Sequence, residues 1–223
     1  MISIILPVLN EEVALPETLA RLQRKASDHE IIVVDGGSQD RTREVVEAFE
    51  GVSWRSASPG RARQMNRGAR DAVGDWLLFL HADTFLPELA LKAIENLDTT
   101  CQAGCFRQRF SRQHWVLQGV SWLHNWRCQR SRIMYGDQAM FIRRSLFERI
   151  GGFPDQAILE DVAISETIKQ HTTPQMLPLT VTTSSRKFDQ RGPLRAFFDV
   201  AIILSCYELR LPILRRGFFA SYR

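Results

Sequence analysis

Two acidic motifs each follow a short apolar run. Glu30-Ile31-Ile32-Val33-Val34 leads into Asp35-Gly36-Gly37-Ser38-Gln39-Asp40-Arg41-Thr42, and Trp76-Leu77-Leu78-Phe79-Leu80 leads into His81-Ala82-Asp83. Short apolar runs rich in β-branched residues and closed by Gly or Asp predict buried parallel strands. In an open α/β sheet the carboxyl ends of the strands face the ligand crevice, so acids placed there meet a ligand instead of a core. One carboxylate can accept from sugar or base hydroxyls and amides, and another can hold a divalent cation between phosphates. Gly36 and Gly37 permit a sharp turn and close ligand approach. Ser38 or Asp40 can cap the next helix, but a cap needs one such residue, and residues 35–42 carry two acids, two glycines and two hydroxyls.

Other segments carry chemistry-bearing residues at element ends. In Pro7-Val8-Leu9-Asn10-Glu11-Glu12, Pro7 lacks an N–H and suits a strand end. Asn10 can cap the next helix, and Glu11 and Glu12 favour its dipole. Residues 60–69 are small and basic; Arg61 at the helix start is a candidate phosphate donor, with Gln64 one turn on. Arg63, Arg67 and Arg70 read as a solvated face. Glu160-Asp161 opens a helix, where the dipole favours a carboxylate. Asp137 and Gln138, in Gly136-Asp137-Gln138-Ala139-Met140, are placed either to meet sugar or acceptor hydroxyls or to form an ordinary turn.

The elements that must position these residues alternate strand and helix through the first half. Strands are predicted at residues 3–8, 31–34, 52–56 and 76–80, and helices at 12–25, 40–49, 61–73 and 87–97. That order means a parallel sheet with right-handed crossovers. The second half is less regular. Strands are expected at 104–110, half-exposed, and at 140–143 and 175–182; helices at 114–129, 145–150, 160–169 and 193–211. With no repeat or linker, one domain is expected: a donor half over 1–98, an acceptor half over 99–190 and a helical segment over 191–223.

The 223 residues, 44% apolar and 24% charged, describe an ordinary globular chain, and a net charge of +4 suits phosphorylated ligands without arguing for nucleic acid. No signal peptide is expected. Cys101, Cys105, Cys128 and Cys206 match no zinc spacing and read as reduced thiols in a cytoplasmic protein. The final helix, with Leu194, Phe197, Phe198, Ile202 and Ile203 followed by Arg210, Arg215 and Arg216, reads in two ways. It docks on the domain or on a second copy of the chain, the favoured reading, or it lies on a membrane at the inner face.

Taken in order, Pro7/Asn10/Glu11, residues 35–42, residues 60–68, His81-Ala82-Asp83, Gly151-Gly152-Phe153 and Glu160-Asp161 resemble family 2 glycosyltransferases of the GT-A fold. The resemblance covers nearly the whole chain. It implies an α/β fold with a mixed, mainly parallel sheet flanked by helices, and an inverting, metal-dependent, hexosyltransferase-type enzyme. The donor it implies is a nucleotide-sugar, UDP-linked. Asp35 and Gly36 would meet the base or ribose, with Pro7, Asn10 and Glu11 lining the pocket. Arg61, Gln64, His81, Ala82 and Arg186 would line the diphosphate side. Asp83 would hold Mn²⁺ or Mg²⁺, Asp161 would be the base, and Glu160, Asp137 and Gln138 would meet substrate. The acceptor is a small molecule or lipid-linked hydroxyl. The family usually has Asp where this chain has His81, which removes one acid from the metal site. His81-Ala82-Asp83 and the Ser184-Ser185-Arg186-Lys187-Phe188 segment further resemble a bacterial subgroup linked to arsenosugar biosynthesis.

Three other functions fit the residues less well. A sugar nucleotidyltransferase needs a basic Gly-rich loop after the first strand, and residues 7–12 are acidic instead. A non-catalytic nucleotide or sugar sensor is opposed by the presence of Asp83 and Asp161. A dinucleotide-binding dehydrogenase lacks its Gly-x-Gly-x-x-Gly. Trp115, Trp122 and Trp126 either stack on an acceptor sugar or fill a core, alternatives the sequence leaves open.

Overall fold

The computed structural model describes residues 1–186 except Ser27 and Ala157. The expected helix over 193–211, Cys206, and Lys187 and Phe188 of the basic segment lie outside the described residues. The order is β1 (Ile2–Val8), α1 (Leu15–Gln23), β2 (Glu30–Asp35), α2 (Thr42–Glu47), β3 (Val52–Ser56), α3 (Arg61–Asp71), β4 (Trp76–Phe79), β5 (Thr84–Phe85), α4 (Ala90–Glu95), β6 (Ala103–Phe110), α5 (Trp115–Ser131), a 3₁₀ turn (Gly136–Gln138), β7 (Phe141–Arg143), α6 (Arg144–Arg149), α7 (Glu160–Lys169) and β8 (Gln175–Thr183).

Among the described residues these strands form one sheet in the order β3-β2-β1-β4-β7-β6-β8-β5. β3, β2, β1 and β4 are mutually parallel. β7 runs antiparallel between β4 and β6, and β8 is parallel to β6. β5 closes the far edge antiparallel to β8. The α/β mixed sheet flanked by helices is thus as expected. β5 was not anticipated: two residues are too few to carry a period-2 pattern. β6 was expected half-exposed, but Ala103 to Phe106 are buried because the strand lies inside the sheet, and only its distal half alternates.

Side-chain alternation divides the core into two layers. Ile5, Ile32, Val34, Leu77 and Phe79 face α3, α6 and α7 through Met65, Leu146, Val162 and Ile164. Ile4, Leu6, Ile31, Val33, Trp76 and Leu78 face α1, α2 and α4 through Leu15, Leu19, Val46 and Ile94. Strands β1, β2 and β4 are thereby apolar on both faces, the mark of buried parallel strands. β1 connects outward to β2 and β3, and the chain then returns to place β4 on the other side of β1. The crevice at such a reversal lies beyond the carboxyl ends of β1 and β4, where Asn10, Glu11 and His81 to Asp83 follow.

Asn10 was expected to cap α1. Instead Ala14 stands at the cap position without a side-chain bond, and Asn10 Oδ1 accepts from Gln39 N at 2.8 Å. Likewise the α2 cap position is Arg41, and Asp40 accepts from Glu12 N at 3.1 Å while also accepting from Thr42. Asp40 thus bonds the start of α2 as expected and also reaches the other loop, whereas Asn10 bonds across to the other loop.

A buried amide fastens the two strand ends. Gln64 Nε2 donates to Val8 O at 2.7 Å and to Val34 O at 2.8 Å. Its side chain comes so close to Gly36 that a Cβ there would sit 3.0 Å from its amide carbon. Gln64→Leu removes two buried hydrogen bonds, although Val8 O keeps the one from Gly36 N, a loss of about 0.5–1.5 kcal/mol per bond. Urea unfolding of the variant should show a lower midpoint with an unchanged slope.

Candidate active site

At the β2 exit, Asp35 folds its carboxylate into its own turn. Gly37 N donates to Oδ2 at 3.0 Å, Ser38 N to Oδ1 at 3.0 Å, and the Ser38 hydroxyl donates to Oδ1. Gly37 supplies the positive φ, 101°, that this turn requires. Asn10 N donates to Ser38 Oγ at 2.9 Å and Glu11 N to Thr42 Oγ1 at 2.9 Å. Residues 8–12 and 35–42 are therefore one laced unit. Burial opposes ionisation of Asp40, yet the Thr42 hydroxyl and the Glu12 N–H hold its carboxyl below the usual range.

The loop after β4 is held from three sides. The Thr18 hydroxyl of α1 donates to Ala82 O, Ser184 N donates to Asp83 O at 3.0 Å, and Thr84 N donates to His81 O at 3.1 Å. Asp83 is 8% exposed. Ala82 was expected to line the donor pocket; its side chain is instead buried in the layer that packs α1 and α4.

Opposite this loop stand the 3₁₀ turn and α7. Gly136 N donates to Asp161 Oδ2 at 2.7 Å, and Val162 N donates to Asp161 Oδ1 at 2.8 Å. A Cβ on Gly136 would lie 2.8 Å from His81 Nε2 and 3.5 Å from Asp161 Oδ2. Only a glycine lets the His81 loop, the turn and Asp161 approach so closely. Each Asp161 oxygen accepts one backbone N–H and retains lone-pair capacity for a ligand. Burial, then the adjacent Glu160 charge, raise the Asp161 pKa to about 7; the Gly136 N–H and the Arg61 charge oppose this incompletely.

Arg61 is the cation shared by these acids. Its Nη1 lies 3.6 Å from Glu160 Oε1, and its charge favours the ionised forms of both Asp161 and Asp137. Burial nevertheless pushes the Asp137 carboxyl up, with the Asp83 charge adding to the effect and His124 opposing it. His124 Nδ1 lies 3.6 Å from Asp137 Oδ2, while Asp137 Oδ1 has no hydrogen-bond partner. A divalent cation fits that arrangement, since it would satisfy the orphaned oxygen and relieve the repulsion from Asp83. Among the described residues no three His, Cys, Asp or Glu side chains converge as a cage, so the rest of a cation's shell would come from phosphate and water.

Not every expected residue reaches this space. Gln138 was expected to meet substrate, but it is fully buried: its Oε1 accepts from Tyr135 N at 3.1 Å and its Nε2 faces Asn125. Both amide hydrogens of Gln64 are spent on the strand ends, so it supports the pocket from beneath. Pro7 is half-buried in β1 opposite Val34. Arg186 Nη2 donates to Glu11 Oε2 at 3.0 Å, bringing the residues after β8 onto the first loop. Sequence reasoning missed His124, which sits on a helix with no amphipathic period to aim it, and Leu159, whose φ of 59° immediately precedes Glu160.

A profile of the family described as glycosyl transferase family 2 matches residues 3–152. The chain is 31% identical over 169 residues to a PGL/p-HBAD biosynthesis glycosyltransferase of Mycobacterium bovis, covering 69% of this chain and 63% of that protein. The chain thus spans less than two thirds of the length of that relative. The fold is similar to that of S. aureus TarS 1-349 in complex with UDP-GlcNAc, with a TM-score of 0.68 at 18% identity over 91% of this chain and 66% of the other. It is also similar to the mannosyltransferase PcManGT of Pyrobaculum calidifontis in complex with GDP-Man and Mn²⁺, with a TM-score of 0.65 at 21% identity over 81% and 56%. The chain belongs to glycosyl transferase family 2.

The raised Asp161 pKa has a signature in stability. Folded Asp161 keeps its proton up to about pH 7, whereas an unfolded aspartate loses it near ~3.9. Its contribution is therefore intact below ~3.9 and is lost as pH rises through about 7. Thermal melting of the native chain between mildly acidic and mildly alkaline pH should show a decline that is shallower in Asp161→Asn. Parallel pH profiles for the two proteins would contradict the assignment.

Proposed function

We propose that this chain transfers a sugar from a nucleoside diphosphate donor, UDP-linked, to a hydroxyl acceptor, with inversion at the anomeric carbon. The observation that carries this reading is Asp161. It is a carboxylate at the start of α7, held by two backbone N–H groups and poised to titrate at about pH 7. A base works best when its pKa lies near the operating pH.

Asp161 takes the proton from the acceptor hydroxyl as that oxygen bonds to the anomeric carbon. The bond from that carbon to the donor diphosphate breaks on the opposite face, and the electron pair leaves with the nucleoside diphosphate. Arg61 stands by the acids of the site and offers its guanidinium to the phosphate. Arg186 is paired with Glu11, and donor phosphate would compete for it. The laced loops at residues 8–12 and 35–42 present Asp35, Gly36, Asn10 and Glu11 as the wall for base and ribose. Asp83 and Asp137 would hold Mn²⁺ or Mg²⁺, which as a Lewis acid neutralises charge growing on the diphosphate. His81 stands so close to the turn that a Cβ on Gly136 would meet its Nε2 at 2.8 Å. The acceptor, a small molecule or a lipid-linked hydroxyl, enters on the side of Asp137 and Glu160. The resemblance to the arsenosugar-linked subgroup belongs to this proposal and rests on residues 81–83, residues 184–188 and the small size.

Asp161→Asn should lower transfer by ~10²–10⁴-fold, the span typical of a positioned base, with nucleotide affinity retained. Wild-type kcat/KM should rise with pH through the region near 7. Calorimetric titration of UDP and GDP with Mn²⁺, Mg²⁺ or chelator should give metal-dependent UDP binding that Asp83→Ala abolishes. Binding of neither nucleotide under any metal would remove the UDP and GDP versions of this reading.

A further inference from the structure

Helix α5 has apolar side chains on two opposite sides. Its inner side carries Val116, Leu117, Ser121 and Cys128, all buried, and Asn125, whose Oδ1 accepts from Gln108 N of β6 at 2.9 Å. Its outer side carries Trp115, Trp122 and Trp126, which are 74%, 67% and 50% exposed. These positions, with Gly119 between them, follow the helical repeat and so lie along one stripe. Trp122 and Trp126 stack on each other, with ring centroids 6.4 Å apart and 14° between planes. Arg130 extends the stripe one turn further and is exposed, as is Arg132 at the helix end. A stripe of large aromatic side chains on the open side of a half-buried helix marks an interaction surface. Here β6 covers one side, and among the described residues the stripe stays exposed.

Charge identifies the occupant. Between Asp98 and Asp137 the chain has six arginines, at 107, 109, 112, 127, 130 and 132, and no acidic residue. An isologous contact with a second copy would set these arginines against themselves. An anionic bilayer surface accepts both kinds of group: indole rings rest at the boundary between headgroups and acyl chains, and guanidinium groups meet lipid phosphate. Among the described residues no helix is long and apolar enough to cross a membrane, so α5 would lie along the surface. We propose that the Trp115–Trp122–Trp126 stripe and its flanking arginines dock this protein on an anionic phospholipid surface.

The test uses the full chain with vesicles of phosphatidylcholine alone and of phosphatidylcholine mixed with phosphatidylglycerol. Wild type should sediment with the anionic vesicles only, and less so at high salt. Its tryptophan emission should shift to the blue and be quenched by brominated lipid. Trp122→Ser with Trp126→Ser, and separately Arg130→Glu with Arg132→Glu, should each reduce partitioning on the order of tenfold while melting like wild type. Failure of wild type to bind either vesicle overturns the proposal. So does binding that both variants retain in full, which would place membrane contact elsewhere on the chain. Sedimentation equilibrium giving a dimer that Trp122→Ser with Trp126→Ser dissolves would assign the stripe to a second copy instead.

Discussion

The site depends first on one buried amide. Gln64 Nε2 bridges Val8 O at the end of β1 and Val34 O, one residue before the end of β2, just where two neighbouring parallel strands would otherwise diverge into independent loops. Gly36 N fills a second lone pair on Val8 O at 3.0 Å. With these carbonyls satisfied, the two loops leave the sheet side by side, and Asn10, Ser38, Thr42, Asp40 and Glu12 can lace them together. The two loops proposed to wall the nucleotide are thus positioned by a side chain from α3 that spends its own hydrogens on the strand ends.

The other half of the site is built under tension. Asp137, Glu160 and Asp161 share the charge of Arg61, Asp83 adds its repulsion to Asp137, and the Asp137 and Asp161 carboxyls are both pushed up. Two of the strained backbone positions fall in the same places. Among the described residues, the non-glycine positive φ angles fall at Asn10, Arg132, Ala139 and Leu159. Ala139 follows the turn that carries Asp137, and Leu159 precedes Glu160. Such conformations cost about 1–3 kcal/mol each and persist where the surroundings dictate them. Buried Leu159 and Ala139 are held by the two core layers, so hydrophobic packing underwrites the local strain.

Much of this arrangement was legible in the sequence because it resides in contiguous segments. The strands are apolar runs closed by acids, and Glu160-Asp161 stands at a helix start as its type and place suggest. The readings that failed concern direction. Gln138 turned inward and Ala82 turned into the core, since a loop has no period from which to infer which way a side chain points. Asn10 was read as a local cap, yet it bonds a residue nearly thirty positions away, and Asp40, which does bond Thr42 at the start of α2, also reaches back to Glu12. His124 could not be aimed at Asp137 from a helix whose apolar residues surround it.

The sheet order also governs how the chain can assemble. β1 to β4 need only neighbours within the first 80 residues, so this half can pair as soon as it is made. The remaining edge of β4 stays open until β7 arrives from beyond residue 140. β5 must wait longer still, because Thr84 meets Thr183 across 99 residues of chain. Non-local pairing of this kind slows folding and leaves strand edges exposed meanwhile. During synthesis the β4 edge, with its all-apolar Trp76-Leu77-Leu78-Phe79, therefore stays open to mispairing until β7 is made.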